Sequence, residues 1–121
     1  MIGYVTIGTN DLPRAAQFYD SLLGIIGAKR FMEYERNIAW SNGGPGLAVC
    51  KPFDGKGASV GNGMMVALAA GSKEKVDALY HKALELGGTD EGPPGPRGAG
   101  GFYGAYFRDL DGNKLCAFHL G

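Results

Sequence analysis

A chain of 121 residues has the length of one ordinary domain, long enough for a single hydrophobic core and too short for two independent ones. Twelve acidic and twelve basic residues cancel, and no basic run or stripe of the kind that neutralises phosphates is present, so neither nucleic acid nor a membrane surface is expected as a partner. The longest apolar stretches, around Ile25-Ile26 and from Met64 to Ala70, are far too short to cross a bilayer; Cys50 and Cys116 are too few for a disulfide framework and lack CxxC spacing, so a soluble cytoplasmic protein with reduced thiols is expected.

The chain opens on a β-rich run, Ile2 to Thr9, that leads through Asn10-Asp11 into apolar residues at helical spacing: Leu12, Ala15, Ala16, Tyr19, Leu22 and Leu23. Asn10 or Asp11 can cap this helix, Pro13 falls in its first turn where a missing donor costs nothing, and Gly24 supplies a stop. Short strand-like runs follow at Ile25 to Phe31, Asn37 to Ser41 and Leu47 to Lys51, with Asn42-Gly-Gly-Pro as a hairpin turn. Segment 52–63 is rich in glycine and without apolar periodicity, which predicts a connector.

The pattern then repeats. Met64 to Ala70 reads as a strand, Ser72 as a cap, and Val76, Leu79, Tyr80, Ala83, Leu84 and Leu86 as a helical face that ends at Gly87-Gly88. Three more strand-like runs follow, Gly88 to Glu91, Phe102 to Arg108 and Lys114 to Leu120, the last two joined by Asp109-Leu-Asp-Gly-Asn. Gly92-Pro-Pro-Gly-Pro-Arg-Gly-Ala-Gly-Gly is expected to be a loop at a pocket mouth, because proline removes donors and glycine adds backbone freedom. The order is strand, helix and three strands, twice: an α+β fold of two βαβββ modules, 1–51 and 64–121, in one domain. One helix covers each mixed sheet, leaving the other faces free to enclose a cavity.

In this order and spacing, Tyr4-Val-Thr-Ile-Gly-Thr-Asn-Asp-Leu, Phe18-Tyr19, Leu22-Leu23-Gly24, Gly61-Asn-Gly-Met-Met-Val-Ala-Leu and Arg108-Asp-Leu-Asp-Gly-Asn-Lys resemble the vicinal oxygen chelate superfamily of glyoxalases, bleomycin-resistance proteins and extradiol dioxygenases. The resemblance covers essentially the whole chain. It implies a metal site built from a histidine on the first strand of each module and a glutamate on the final strand, with a fourth ligand from the last strand of the first module in some members. It also implies a homodimer. Tyr4 lies seven residues before Asp11 and Met65 seven before Ser72, so the repeat itself pairs these two positions. The motif places Cys116 where the resemblance implies the glutamate, and the fourth position near Val49 or Cys50.

A phenol, a thioether and a thiol do not suit a hard or borderline divalent ion, and a phenol must first ionise from a pKa of about 10. No metal and no cofactor are therefore expected. His81 and His119 are expected outside the cavity, the second because its strand parity is opposite to that of Cys116. The candidate ligand-binding residues are Tyr4, Thr6, Trp40, Met65, Arg97, Tyr103 and Cys116, with Arg97 a clamp for an anionic group and Tyr103 preferred over Tyr106 as the inward tyrosine. The function expected is metal-independent binding of a small amphipathic molecule, as in bleomycin-resistance proteins. The alternatives are a lyase, isomerase or dioxygenase-like enzyme using acid-base groups or an unconventional metal, and a homodimeric interaction module with a vestigial cavity.

Overall fold

The computed structural model describes residues 1–121 as two modules of like topology. The first contains β1 (Tyr4–Gly8), α1 (Leu12–Gly24), β2 (Lys29–Glu33), β3 (Asn37–Ser41) and β4 (Gly46–Cys50). The second contains β5 (Val66–Ala69), α2 (Lys73–Glu85), β6 (Thr89–Pro96), β7 (Phe102–Arg108) and β8 (Lys114–Leu120). Their sheets have the orders β1-β4-β3-β2 and β5-β8-β7-β6, each with a parallel pair, β1 with β4 and β5 with β8, and otherwise antiparallel. The helix between β1 and the rest of its sheet makes that parallel pairing possible, because a crossover must span the length of the strands.

Local chemistry sets the helix ends. The Asp11 carboxylate accepts the Arg14 N–H at 3.1 Å and the Ser72 hydroxyl accepts the Lys75 N–H at 3.2 Å, each satisfying an orphan amide of the first turn. Gly24 is the last helical residue of α1 rather than its stop; the chain turns away at Gly27, whose φ of 74° is left-handed. β2 consequently starts at Lys29, later than the run from Ile25 suggests, and Ile25, Ile26 and Ala28 pack on the core instead.

Two other boundaries differ from expectation. β5 begins at Val66, so Met64 and Met65 form its approach. β6 runs on to Pro96 through two register shifts, between Asp90 and Gly92 and between Gly92 and Gly95, and pairs Gly95 with Gly104 and Pro96 with Tyr103. The prolines fit because β6 is the outer edge of its sheet, where one side of the strand needs no donors. Only 97–101 remain as loop.

One continuous core joins the modules. Ile7, Ile38, Trp40, Leu47 and Val49 from the first sheet pack on α1, and Ala105, Phe107, Leu115 and Ala117 from the second pack on α2. A polar clasp holds the same junction. In the turn between β7 and β8, the buried Asp109 carboxylate accepts the Tyr19 hydroxyl at 2.5 Å, the Asn113 amide at 2.9 Å, and the backbone N–H groups of Asp111 and Asn113. Asp111 in turn accepts the buried Thr9 hydroxyl at 2.6 Å and the Asn10 N–H at 2.9 Å, while Asn113 donates to the Gly8 carbonyl. The end of β1 and the middle of α1 are thus tied to the far hairpin.

Burial and the neighbouring Asp109 raise the Tyr19 pKa well above its ordinary value of 10.0. The raised folded-state value means that the stability it carries is complete below pH of about 10 and declines as pH rises through the folded pKa. Tyr19→Phe should cost about 1.5–3 kcal/mol at neutral pH, the worth of a hydrogen bond to a charged group, and should flatten the alkaline limb of the stability curve in urea melts. Asp109→Ala, which orphans several donors at once, should cost more than Tyr19→Phe in the same melts.

Candidate functional site

Strand alternation divides each sheet into a helix-covered face and an open one. In the first sheet Val5 and Ile7 point to the helix side, so Tyr4, Thr6 and Gly8 stand on the open face; their register partners Gly46, Ala48 and Cys50 on β4 stand beside them. In the second sheet Val66 and Leu68 turn towards the core and leave Met65, Ala67 and Ala69 on the open side. There Ala67 adjoins Cys116, and Cys116 pairs across the hairpin with Tyr106.

The register identifies which β4 residue is the repeat equivalent of Cys116. Cys116 on β8 lies opposite Ala67, two residues beyond Met65, and the repeat equivalent is the β4 residue opposite Thr6, two residues beyond Tyr4. That residue is Ala48. Val49 is excluded because it faces the core between Ile7 and Ile38, and Cys50 lies two residues farther along, with its thiol donating to the Lys51 carbonyl. The four positions are therefore held by Tyr4, Ala48, Met65 and Cys116, which supply no imidazole and no carboxylate. No group of three or more histidine, cysteine, aspartate or glutamate side chains is arranged to hold a metal ion anywhere in the chain. The donor set does not fit a divalent ion of the zinc, nickel, iron or manganese type.

Cys116 is 1 % exposed. Burial pushes its thiol pKa up, while the positive charges of Arg97 and Lys114 pull against that shift. The thiol is thus protonated at neutral pH and has no histidine beside it, which argues against a nucleophilic role. Arg97 reaches this place from the loop after β6: its guanidinium donates to the Pro93 carbonyl at 2.5 Å and lies 5.5 Å from the Tyr106 ring centre. Gly92 permits the approach, since a Cβ there would come within 3.0 Å of the Tyr106 ring. Lys114 approaches the same ring at 5.6 Å.

Aromatic surface completes the open faces. Phe31 lies over Gly46, where a Cβ would meet its ring at 2.8 Å, and Phe102 stacks on Phe118 at 5.5 Å above Gly104. Two candidate residues belong elsewhere. Trp40 is fully buried under α1, donating its indole N–H to Asp20 at 2.8 Å, because its parity matches that of Ile38 and Leu47. Tyr103 pairs with His119 and donates its hydroxyl to Asp77 on α2 at 2.7 Å, so Tyr106 is the tyrosine of the open face. His81 is exposed on α2, and His119 lies on the parity opposite to Cys116. Phe102, Tyr106, Lys114 and Phe118 were within reach of the sequence, because the hairpin around Asp109-Leu-Asp-Gly-Asn fixes which β7 residues share the face of Cys116.

The cavity expected between the sheets is not closed by a single chain: Tyr4 is 58 % and Met65 45 % exposed. Instead the connector folds beside Arg108 and Lys114 to bound a cleft of about 650 Å³, lined by residues 60–65 and those two cations. A second cleft, about 360 Å³ and largely apolar, runs between the β1 and β5 edges past Ile2, Val5, Met65 and Leu68.

Residues 1–117 match the model of the Glyoxalase/Bleomycin resistance protein/Dioxygenase superfamily. Among solved structures, a glyoxalase/bleomycin resistance protein from Albidiferax ferrireducens is 38% identical, with a TM-score of 0.91 over 98% of each chain. A hypothetical protein from S. aureus is 26% identical, with a TM-score of 0.76 over 98% of this chain and 92% of that one. A lactoylglutathione lyase from Agrobacterium tumefaciens, at 21% identity and a TM-score of 0.73 over 98% of this chain and 92% of its own, shares the fold. No curated protein matches the sequence.

The two thiols should differ in reactivity. Cys50 is half-buried and Cys116 buried with a raised pKa, so titration of the native protein with a disulfide reagent at neutral pH should show one faster thiol. Cys50→Ser should remove that faster phase and leave a thiol that reacts rapidly only after unfolding.

Proposed function

Because the chain belongs to the Glyoxalase/Bleomycin resistance protein/Dioxygenase superfamily, we propose that it binds a small amphipathic molecule on the open faces of its sheets without a resident metal. The observation that carries this reading is the set Tyr4, Ala48, Met65 and Cys116 at the repeat-equivalent open-face positions where the family resemblance implies ligands: neutral side chains that offer contact surface and weak hydrogen bonding instead of ligation. Thr6 stands beside Ala48 as a polar group able to orient a bound molecule. Tyr106, Phe102 and Phe118 extend the apolar floor.

A second copy of the chain supports enclosure. Tyr4, Phe31, Met65 and Leu120 are large, exposed and on or beside the open faces, where a partner subunit would cover them and shut the ligand from water. No helix is long and apolar enough to cross a membrane. Two unpaired cysteines suit a reducing compartment such as the cytoplasm.

Protein purified without chelators should carry only substoichiometric transition metal, and its melting temperature should be indifferent to EDTA and to added zinc, nickel or manganese. A full-occupancy ion in that preparation overturns the reading. Screening a small-molecule library by thermal shift should give hits that survive EDTA and are lost in Met65→Arg and weakened in Tyr4→Ala. Light scattering should report a dimer, whose dissociation on introducing Tyr4→Asp would place the contact on the open face.

A further inference from the structure

The cleft beneath the connector carries the reading one step further. Its lining holds two cations, Arg108 and Lys114, and no acid, together with Met64, Met65, Val60 and the backbone of Gly61-Asn-Gly. The two cations are not equivalent. Arg108 is already satisfied: its Nε donates to the Glu91 carboxylate at 2.5 Å and its Nη1 to the Gly112 carbonyl at 3.0 Å. Lys114 has no carboxylate partner and rests only against the Tyr106 ring at 5.6 Å. Arg97, on the same ring, also lacks a carboxylate and is held by backbone carbonyls alone. Beneath the ring, the buried thiol of Cys116 supplies no counter-charge to either.

An ammonium beside an apolar wall and over an aromatic ring is partly desolvated, and an unpaired cation in that setting gains most from a desolvated anion. The adjoining thioethers of Met64 and Met65 adapt to irregular apolar shapes. We infer that the molecule bound on the open face is an organic anion, whose acidic group lies against Lys114 in this cleft and whose apolar part lies on Met64 and Met65. The inference rests on the binding reading above and adds the ligand's charge and the residue that reads it. Arg108, pinned by Glu91, forms a fixed wall of the cleft, and Lys114 makes the ionic contact. Arg97, 5.5 Å from the centre of the same Tyr106 ring, adds positive potential.

Matched probes test this: benzoate, phenylacetate and hexanoate against their uncharged amides, titrated by calorimetry and by NMR of methyl-labelled methionine at low and high potassium chloride. The carboxylates should bind and shift the Met64 and Met65 methyls, the amides should bind about tenfold or more weakly, and the difference should shrink with salt. Lys114→Gln should remove the preference for the carboxylates, Lys114→Arg should restore it, and Lys75→Gln on α2 should leave it unchanged. If no carboxylate binds, or if acid and amide bind equally and Lys114→Gln changes neither, the inference is overturned. In the second case, loss of both probes in Met65→Arg would leave the binding reading standing, whereas persistence of both in Met65→Arg and Tyr4→Ala would remove that as well.

Discussion

The carboxylate of Asp109 governs the relation of the two modules. It lies buried at the turn between β7 and β8 and accepts four hydrogen bonds, from the Tyr19 hydroxyl, the Asn113 amide and two backbone N–H groups of its own turn. A carboxylate out of water is tolerated only when its lone pairs are filled in this way. Since Tyr19 belongs to α1 and the turn to the second module, filling them fixes one module against the other. Asp111 repeats the arrangement with Thr9 and Asn10 at the end of β1. Hydrophobic burial in the core shared by the modules has little directionality, whereas hydrogen bonds at 2.5–2.9 Å specify one alignment. The placement of Tyr4 relative to Met65 follows from that alignment.

With the modules aligned, the chemistry of the open faces depends on four side chains that the backbone brings into equivalent places. The strand register is indifferent to what those side chains are: the pairing of Thr6 with Ala48 and of Ala67 with Cys116 would hold a pair of carboxylates as readily as an alanine and a cysteine. Fold membership therefore carries little information about metal chemistry in this chain, and residue identity carries nearly all of it. Alanine at the β4 position leaves space, and the open-face aromatic rings lie over glycines at 46 and 104, where no Cβ obstructs them. The surface presents aromatic and apolar side chains and, at these four positions, no imidazole or carboxylate.

Much of this was legible in the sequence, and the failures have physical causes. Both helices were readable from caps and apolar spacing, and β7 and β8 from the alternation on either side of the Asp109 turn, because local hydrogen bonding and period-two burial leave direct marks. The tyrosine of the open face was readable in principle, since a tight hairpin sets cross-strand partners, and pairing Arg108 with Lys114 leads inevitably to Tyr106 opposite Cys116. Tyr103 misled because its hydroxyl is satisfied by Asp77, a tertiary contact with no local trace. Trp40 misled in the same way: a single tryptophan suggests a stacking surface, yet its indole N–H finds a partner in Asp20 on the covering helix and its ring fills the core. The extension of β6 over three prolines was hidden because tolerance for proline depends on the strand being an edge, which is a property of the whole sheet.

Charge distribution links the clasp to the proposed chemistry. The chain is neutral overall, but half of its acids are committed to buried or interface-forming contacts: Asp109 and Asp111 to the clasp, Asp20 to Arg30 and Trp40, Asp77 to Tyr103, Asp90 to Tyr80, Glu91 to Arg108. Most of these contacts draw carboxylates to the helix side of the sheets or to the turn. Arg97 and Lys114 are left on the open face of the second sheet without carboxylate partners, Arg97 held by backbone carbonyls and both by the face of Tyr106. Holding cations with groups that do not neutralise them keeps the local potential positive while limiting side-chain freedom, so less ordering entropy is lost when an anion arrives. With Glu91 taken up by Arg108, neither Lys114 nor Arg97 on this face has a carboxylate within reach, and the proposed anionic ligand would supply one.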